Sequence, residues 1–195
     1  EFFQYRPYDP GEDMKVVDWK VYAKREELVA KTFQEDTNFN LFLVVDTSAS
    51  MGYEGNGSSC TKLGYASMLA ACFAYIAFRQ GDKIGLFAYS DDVQEWIRPG
   101  SGQAHFGRIV NGLSRLNAKG KNKHESAWEQ MVGNMPGRSM VVFLSDFLEA
   151  EDLLPEKLRF ALSSRYEALC LQVLDREEDV LPSGDALRFV DMEGS

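Results

Sequence analysis

The stretch richest in potential chemistry is Asp46-Thr47-Ser48-Ala49-Ser50-Met51-Gly52, where side chains bearing oxygen recur at alternate positions, 46, 48 and 50. Alternate side chains share a side of extended or gently turning backbone, so the Asp46 carboxylate and the Ser48 and Ser50 hydroxyls can converge on one hard cation. A second acid, Asp146, follows Ser145 at the end of another apolar run. Mg²⁺ takes near-octahedral oxygen and retains water readily, so one or two carboxylates plus hydroxyls make a site with an open position. Ser and Asp are also the preferred caps of helices and turns, and on this spacing alone a capping role stands beside the metal role.

The apolar pattern supplies the elements that must bring the two acids together. Leu41-Phe42-Leu43-Val44-Val45 is continuous and β-rich, as expected of a strand covered on both faces of a parallel sheet, and it ends at Asp46. After a Gly/Ser-rich loop at 52–59, residues 61–79 carry Leu63, Ala66, Ala70, Phe73 and Ala77 at helical spacing, stopped by Gly81-Asp82. A strand over 83–89 and a hairpin partner over 93–98 make an antiparallel edge. Helices are expected at 103–116, 125–133 and 153–163, core strands at 140–144 and 168–174, and a weaker strand at 187–190. Open α/β sheets bind ligands at the carboxyl ends of their strands, and both acids stand there. The first forty residues are mixed and polar. We read 1–39 as an N-terminal arm packed on the domain 40–195, with Arg6, Asp13, Asp18 and Lys20 pairing across to it and Trp19, Tyr22 and Phe33 in apolar contact.

Composition narrows the function classes. The chain has 195 residues, room for one sizeable domain, with 45% hydrophobic and 26% charged residues, an ordinary globular balance. Its 21 basic residues against 30 acidic ones leave −9, a field that repels phosphate backbones and anionic lipid, so nucleic acid is not an expected partner. Lys119, Lys121 and Lys123 around Gly120 read as a solvated loop. The longest apolar stretch, 68–78, falls well short of the roughly 20 residues that cross a bilayer. Residues 1–10 lack the regions of a signal peptide, and Cys60, Cys72 and Cys170 form no CxxC pair, so a reducing cytoplasm is expected, with neither a disulfide framework nor a zinc site.

Enzymatic readings fit less well. A haloacid-dehalogenase-like phosphotransferase also places a nucleophilic Asp after its first strand, but needs a general-acid carboxylate two residues on, where this chain has Ser48. Gly52, Gly55 and Gly57 lack dinucleotide-fingerprint spacing, and no GxxxxGK[ST] loop is present. His105 and His124 are the only histidines, each in the polar helix-start context of an ordinary surface histidine.

Val44-Val45-Asp46-Thr47-Ser48-Ala49-Ser50-Met51 resembles the metal-ion-dependent adhesion site of von Willebrand factor A domains. Tyr5-Arg6-Pro7-Tyr8, Pro10-Gly11-Glu12-Asp13, Val17-Asp18-Trp19-Lys20, Lys62-Leu63, Gln80-Gly81-Asp82-Lys83-Ile84-Gly85-Leu86, Leu144-Ser145-Asp146-Phe147 and an ending from Leu181-Pro182 to Asp191-Met192-Glu193 are similar, in order, to motifs of the domain of unknown function 58 family, a bacterial A-domain-like group. The resemblance covers nearly the whole chain and implies a chain that starts inside a longer product. It further implies a three-layer, Rossmann-like von Willebrand factor A fold, a mainly parallel sheet with one antiparallel edge strand. Mg²⁺ or another divalent cation would be held by Asp46, Ser48, Ser50 and Asp146, the last directly or through water. The implied function is a non-enzymatic, metal-dependent protein-binding module partnered with a MoxR-type AAA+ ATPase that acts on a client complex.

One departure bears on the metal. The family's second metal loop carries a Thr in a GxT pattern, whereas this chain reads Gly120-Lys121-Asn122-Lys123-His124-Glu125-Ser126-Ala127. Asn122 stands at the Thr position, Ser126 is a further oxygen donor, and Lys123 beside them repels a cation. Two alternatives therefore stay open: an Mg²⁺-dependent phosphoryl-transfer hydrolase using Asp46, and a metal-free scaffold with a decayed site.

Overall fold

The computed structural model describes residues 2–33, 40–121, 131, 139–148 and 166–179. The chain divides into two compact units, Glu1–Asn38 and Phe39–Ser195.

The first unit holds more regular structure than its polar sequence suggests. Strand β1 (Phe2–Pro7) pairs antiparallel with β2 (Val29–Phe33), and helix α1 (Trp19–Arg25) lies between them in sequence. Asp18 caps α1 by accepting from the Lys20 N–H at 2.9 Å. Its other oxygen accepts from the Tyr5 hydroxyl at 2.9 Å and pairs with Lys31 at 3.2 Å. Arg6 meets Glu12 at 2.7 Å, and Asp13 meets Lys15 at 3.7 Å. Of the charges expected to pair across to the domain, Arg6, Asp13 and Asp18 thus have partners within this unit. Antiparallel pairing brings residues about twenty-five positions apart face to face, and no run of apolar residues announces strands this short.

The second unit is built on a sheet of order β5-β4-β3-β6-β7. Strands β3 (Asn40–Asp46), β4 (Lys83–Tyr89), β6 (Ser139–Ser145) and β7 (Tyr166–Gln172) run parallel, and β5 (Val93–Gly100) runs antiparallel to β4 at one edge. Strand β3 is buried along its whole length because it has a parallel neighbour on each side and apolar layers over both faces. Leu41, Leu43 and Val45 meet helix α2 (Lys62–Gln80), which turns Leu63, Ala66, Ala70, Ala74 and Ala77 toward the sheet. The alanine stripe lets the helix axis lie close. Phe42 and Val44 face the other way, with Phe87, Tyr89, Val141 and Phe143.

Most expected elements are present with small shifts at their ends. Thr61 caps α2 by accepting from the Gly64 N–H, and Gly81 stops it in the left-handed conformation, φ 81°. Helix α3 spans Gln103–Ser114. Strand β7 is a correction in character: expected as a core strand, it alternates half-buried and exposed residues, because among the described residues only β6 flanks it. The expected helix at 153–163 and strand at 187–190 lie outside the described residues, as does 125–133 apart from Met131, which is helical and buried. Among the described residues, no helix is long and apolar enough to cross a membrane.

Candidate functional site

Strand β3 connects through α2 to β4 on one side and lies beside β6 on the other, so its carboxyl end is the point where the strand order reverses. In open α/β sheets the chain leaving adjacent strands diverges at such a point, which is where a ligand crevice is expected. Asp46 ends β3 fully buried, opposite Tyr89 of β4. Its Oδ1 accepts the Ser48 N–H at 2.8 Å, the self-closing turn that Asp favours. Ser48 and Ser50 place their hydroxyls 3.1 Å apart, both buried. Ser145 donates its hydroxyl to Asp46 Oδ2 at 2.5 Å and accepts the Phe147 N–H at 3.0 Å. It thereby joins the loops that follow the two central strands. Phe147 takes φ 56°, the left-handed region that bulky side chains rarely enter, so the chain turns sharply just past Asp146.

Asp146 is buried as well, and the Lys62 ammonium holds its Oδ2 at 2.8 Å. Lys62 reaches Glu178 Oε1 at 2.6 Å with the same group and lies 6.0 Å from the centre of the Tyr53 ring. The loop from Tyr53 to Ser58 is fastened to the segment after β7: Asp175 accepts from the Gly55 N–H at 3.1 Å and the Ser58 hydroxyl at 2.6 Å, and Tyr53 donates to Glu177 at 2.9 Å. Gly55 is required there, since a Cβ would collide with the Asp175 carboxylate.

The electrostatics follow from burial. Desolvation pushes Asp46 up to about 6, against the hydrogen bonds from Ser145 and Ser48, and the Asp146 charge adds to the rise. Burial also raises the Tyr89 phenol well above its ordinary value, reinforced by Asp46 and Asp146. Asp175 is held below the usual carboxylate range, first by the Ser58 hydroxyl and then by the Glu177 N–H.

Of the candidate ligands, Asp46, Ser48 and Ser50 share one buried loop, and Asp146 follows the adjacent parallel strand with its charge felt at Asp46. Asn122 and Ser126 lie outside the described residues, as do Lys123 and His124. The start of their loop does border the site: Gly120 accepts the Ala49 N–H at 2.9 Å, and Thr47 accepts the Lys119 N–H at 2.9 Å. The Thr47 hydroxyl is buried with no hydrogen-bond partner. Among the described residues no three His, Cys, Asp or Glu side chains gather as a metal cluster, so a cation here depends on hydroxyl oxygen. An all-oxygen donor set of two acids and two serines suits a hard cation such as Mg²⁺.

Two site residues were not singled out from sequence. Lys62 carries a signal in retrospect: a cation at the first position of a helix opposes the macrodipole and needs a tertiary reason. Ser145 carries only its place before a strand-end acid.

His105 is a correction. It is buried rather than on the surface, with Nε2 2.6 Å from the Ile84 carbonyl and Nδ1 receiving Arg108 at 2.8 Å. The carbonyl needs a donor and the guanidinium an acceptor, which assigns the Nε2–H tautomer. Ile84 pairs with Leu41 and Tyr89 with Asp46, so five residues of strand, about 17 Å, separate His105's anchor from the Asp46 end. It cannot serve Asp46 or Ser48 as a base.

The fold recurs in solved structures. The BatB protein of Bacteroides thetaiotaomicron superposes with TM-score 0.56 at 15% identity, covering 69% of this chain and 66% of that one. A von Willebrand factor type A protein of Catenulispora acidiphila gives 0.50 at 18% identity, over 73% and 34%. An uncharacterized protein of Mycobacterium tuberculosis, Rv1480, is 26% identical over 186 residues, 93% of this chain and 57% of its own length. The chain therefore spans little more than half of that relative. The family model for the protein of unknown function DUF58 matches residues 4–195, from the β1 strand past the two acids of the crevice, and the chain belongs to that family.

Proposed function

We propose that the second unit is a metal-ion-dependent protein-binding module. A divalent cation, Mg²⁺ first, is held at the end of β3 by Asp46, Ser48 and Ser50, with Asp146 directly or through water, and Asn122 and Ser126 are the added donors of the second loop. When bound, the cation supplies Lewis-acid attraction for a carboxylate of the partner at its open position. The chain's own residues do the rest: Ser145 and the Ser48 N–H orient the Asp46 carboxylate, Lys62 orients Asp146, and the buried walls exclude water. The observation that carries this reading is the burial of Asp46 against two serine hydroxyls that lie 3.1 Å apart at the switch point of the sheet. Likeness to von Willebrand factor A folds supports an interaction role over a catalytic one. The partner is a MoxR-type AAA+ ATPase, acting in the cytoplasm on a client complex, and the unpaired Cys60, Cys72 and Cys170 accord with that compartment.

Calorimetric titration with Mg²⁺ tests the first step, with Asp46→Ala as the blank. Co-elution of the protein with a purified MoxR-type ATPase, in Mg²⁺ and then in chelator, tests the second.

One observation favours a second reading. Lys62 already neutralises Asp146, so the crevice can stand as a metal-free scaffold. Absence of heat up to millimolar Mg²⁺ selects it. The hydrolase alternative has Ser48, not a carboxylate, at the general-acid position, and a phosphatase screen in Mg²⁺ with Asp46→Asn decides it.

A further inference from the structure

We propose that a groove between β5 and α3, separated from the carboxyl end of β3 by strand β4, takes an extended acidic segment of a partner protein, added as a strand along β5. The groove has a volume of about 680 Å³. Residues 95–100 of β5 line it consecutively, so residues of both strand faces contribute and the groove runs along the strand's open edge. Among the described residues that edge pairs with no strand. Its backbone N–H and C=O groups offer the main-chain half of a strand addition as far as Pro99, which has no N–H to donate.

Charge selects the occupant. Arg98 enters from β5, Arg108 from α3 and Arg115 from the residue that caps the end of α3, and all three are exposed. Among the described residues the ion pairs involve Arg6, Lys15, Lys31 and Lys62, and none involves these three arginines. In a chain of net charge −9, three arginines along one groove with no acid partner among the described residues are a local reversal of the field. Arg108 is partly pre-set by its 2.8 Å bond to His105, which the Ile84 carbonyl fixes in turn. Pre-setting lowers the ordering cost of receiving a carboxylate, and the planar guanidinium matches that group bidentately. Gly112 brings α3 close: a Cβ there would stand 3.1 Å from Ile97 and Leu86 side-chain atoms. Glu95 is the acid of the lining, and it disfavours a second acid at its end. A polypeptide fits better than a nucleic acid, because only a polypeptide can use the strand edge and the rest of the surface repels a phosphate chain.

The test uses the full chain and a fluorescein-labelled ten-residue peptide of alternating Glu and Val, followed by anisotropy. Binding is expected to weaken at least about tenfold between about 50 and 300 mM salt. Arg98→Glu/Arg115→Glu is expected to weaken it at least about tenfold as well. Melting of the double variant checks its fold, with Arg98→Gln/Arg115→Gln as a milder pair. A peptide N-methylated at every second residue is expected to lose binding, since one hydrogen-bonding edge is blocked. The proposal is overturned by absent binding, by equal binding to a folded double variant, by full binding of the N-methylated peptide, or by equal competition from a single-stranded oligonucleotide of the same charge.

Discussion

Lys62 Nζ lies 2.8 Å from Asp146 Oδ2 across 84 residues of sequence, with both side chains 2% exposed or less. The pair ties the start of α2 to the end of β6. Removing one partner leaves the other as a buried, uncompensated charge, so Lys62→Met should lower stability by about 3–5 kcal/mol in urea unfolding. Adding Asp146→Asn removes the stranded charge and should recover most of that loss. Equal stability of Lys62→Met and wild type would mean that the ammonium is not the partner of Asp146 in solution.

Asp46 should make the protein less stable as pH rises. Its carboxyl titrates near 6 when folded against an ordinary 3.8, so the folded state binds more protons between those values. Stability is then greatest below about 4, falls through the window to about 6, and levels off above it, a change on the order of 2–3 kcal/mol from this group alone. Asp46→Asn should flatten that part of the profile, as urea midpoints measured across the range would show.

A divalent cation should offset that penalty. At pH 7.5, with Mg²⁺ at about ten times its dissociation constant, mass action adds about 1.4 kcal/mol, and the melting temperature rises accordingly. Near pH 4.5 the gain should shrink, because the proton on Asp46 competes with the cation. Asp46→Ala should abolish the Mg²⁺ effect at both pH values.

Asp175 should govern the order of the loop before α2. Asp175→Ala removes the acceptor of the Gly55 N–H and the Ser58 hydroxyl, and amide exchange at residues 55–58 should quicken at least about tenfold. Gly55→Ala drives a methyl into that carboxylate and should lower stability by about 1–3 kcal/mol. Unchanged exchange in Asp175→Ala would place the loop under other control.

Local chemistry determined a good deal of this protein. The runs that became β3, β4 and β6 are apolar enough to announce buried strands, Thr61 and Gly81 mark the ends of α2, and the alternation of Asp46, Ser48 and Ser50 marks the crevice. Each of these signals acts within a few residues, where backbone geometry and side-chain type suffice. Tertiary structure alone decided what each polar group meets. Lys62 reads as a helix-start lysine until β6 and the short helix Arg176–Asp179 bring two carboxylates to it. His105 reads as a surface residue until β4 presents the Ile84 carbonyl and buries the ring. Ser145 becomes the link between two loops because β6 pairs in parallel beside β3. Most buried polar groups find a partner, and for Lys62, His105 and Ser145 that partner sits on a chain segment 21 to 99 residues away that only the closed sheet brings within hydrogen-bond reach.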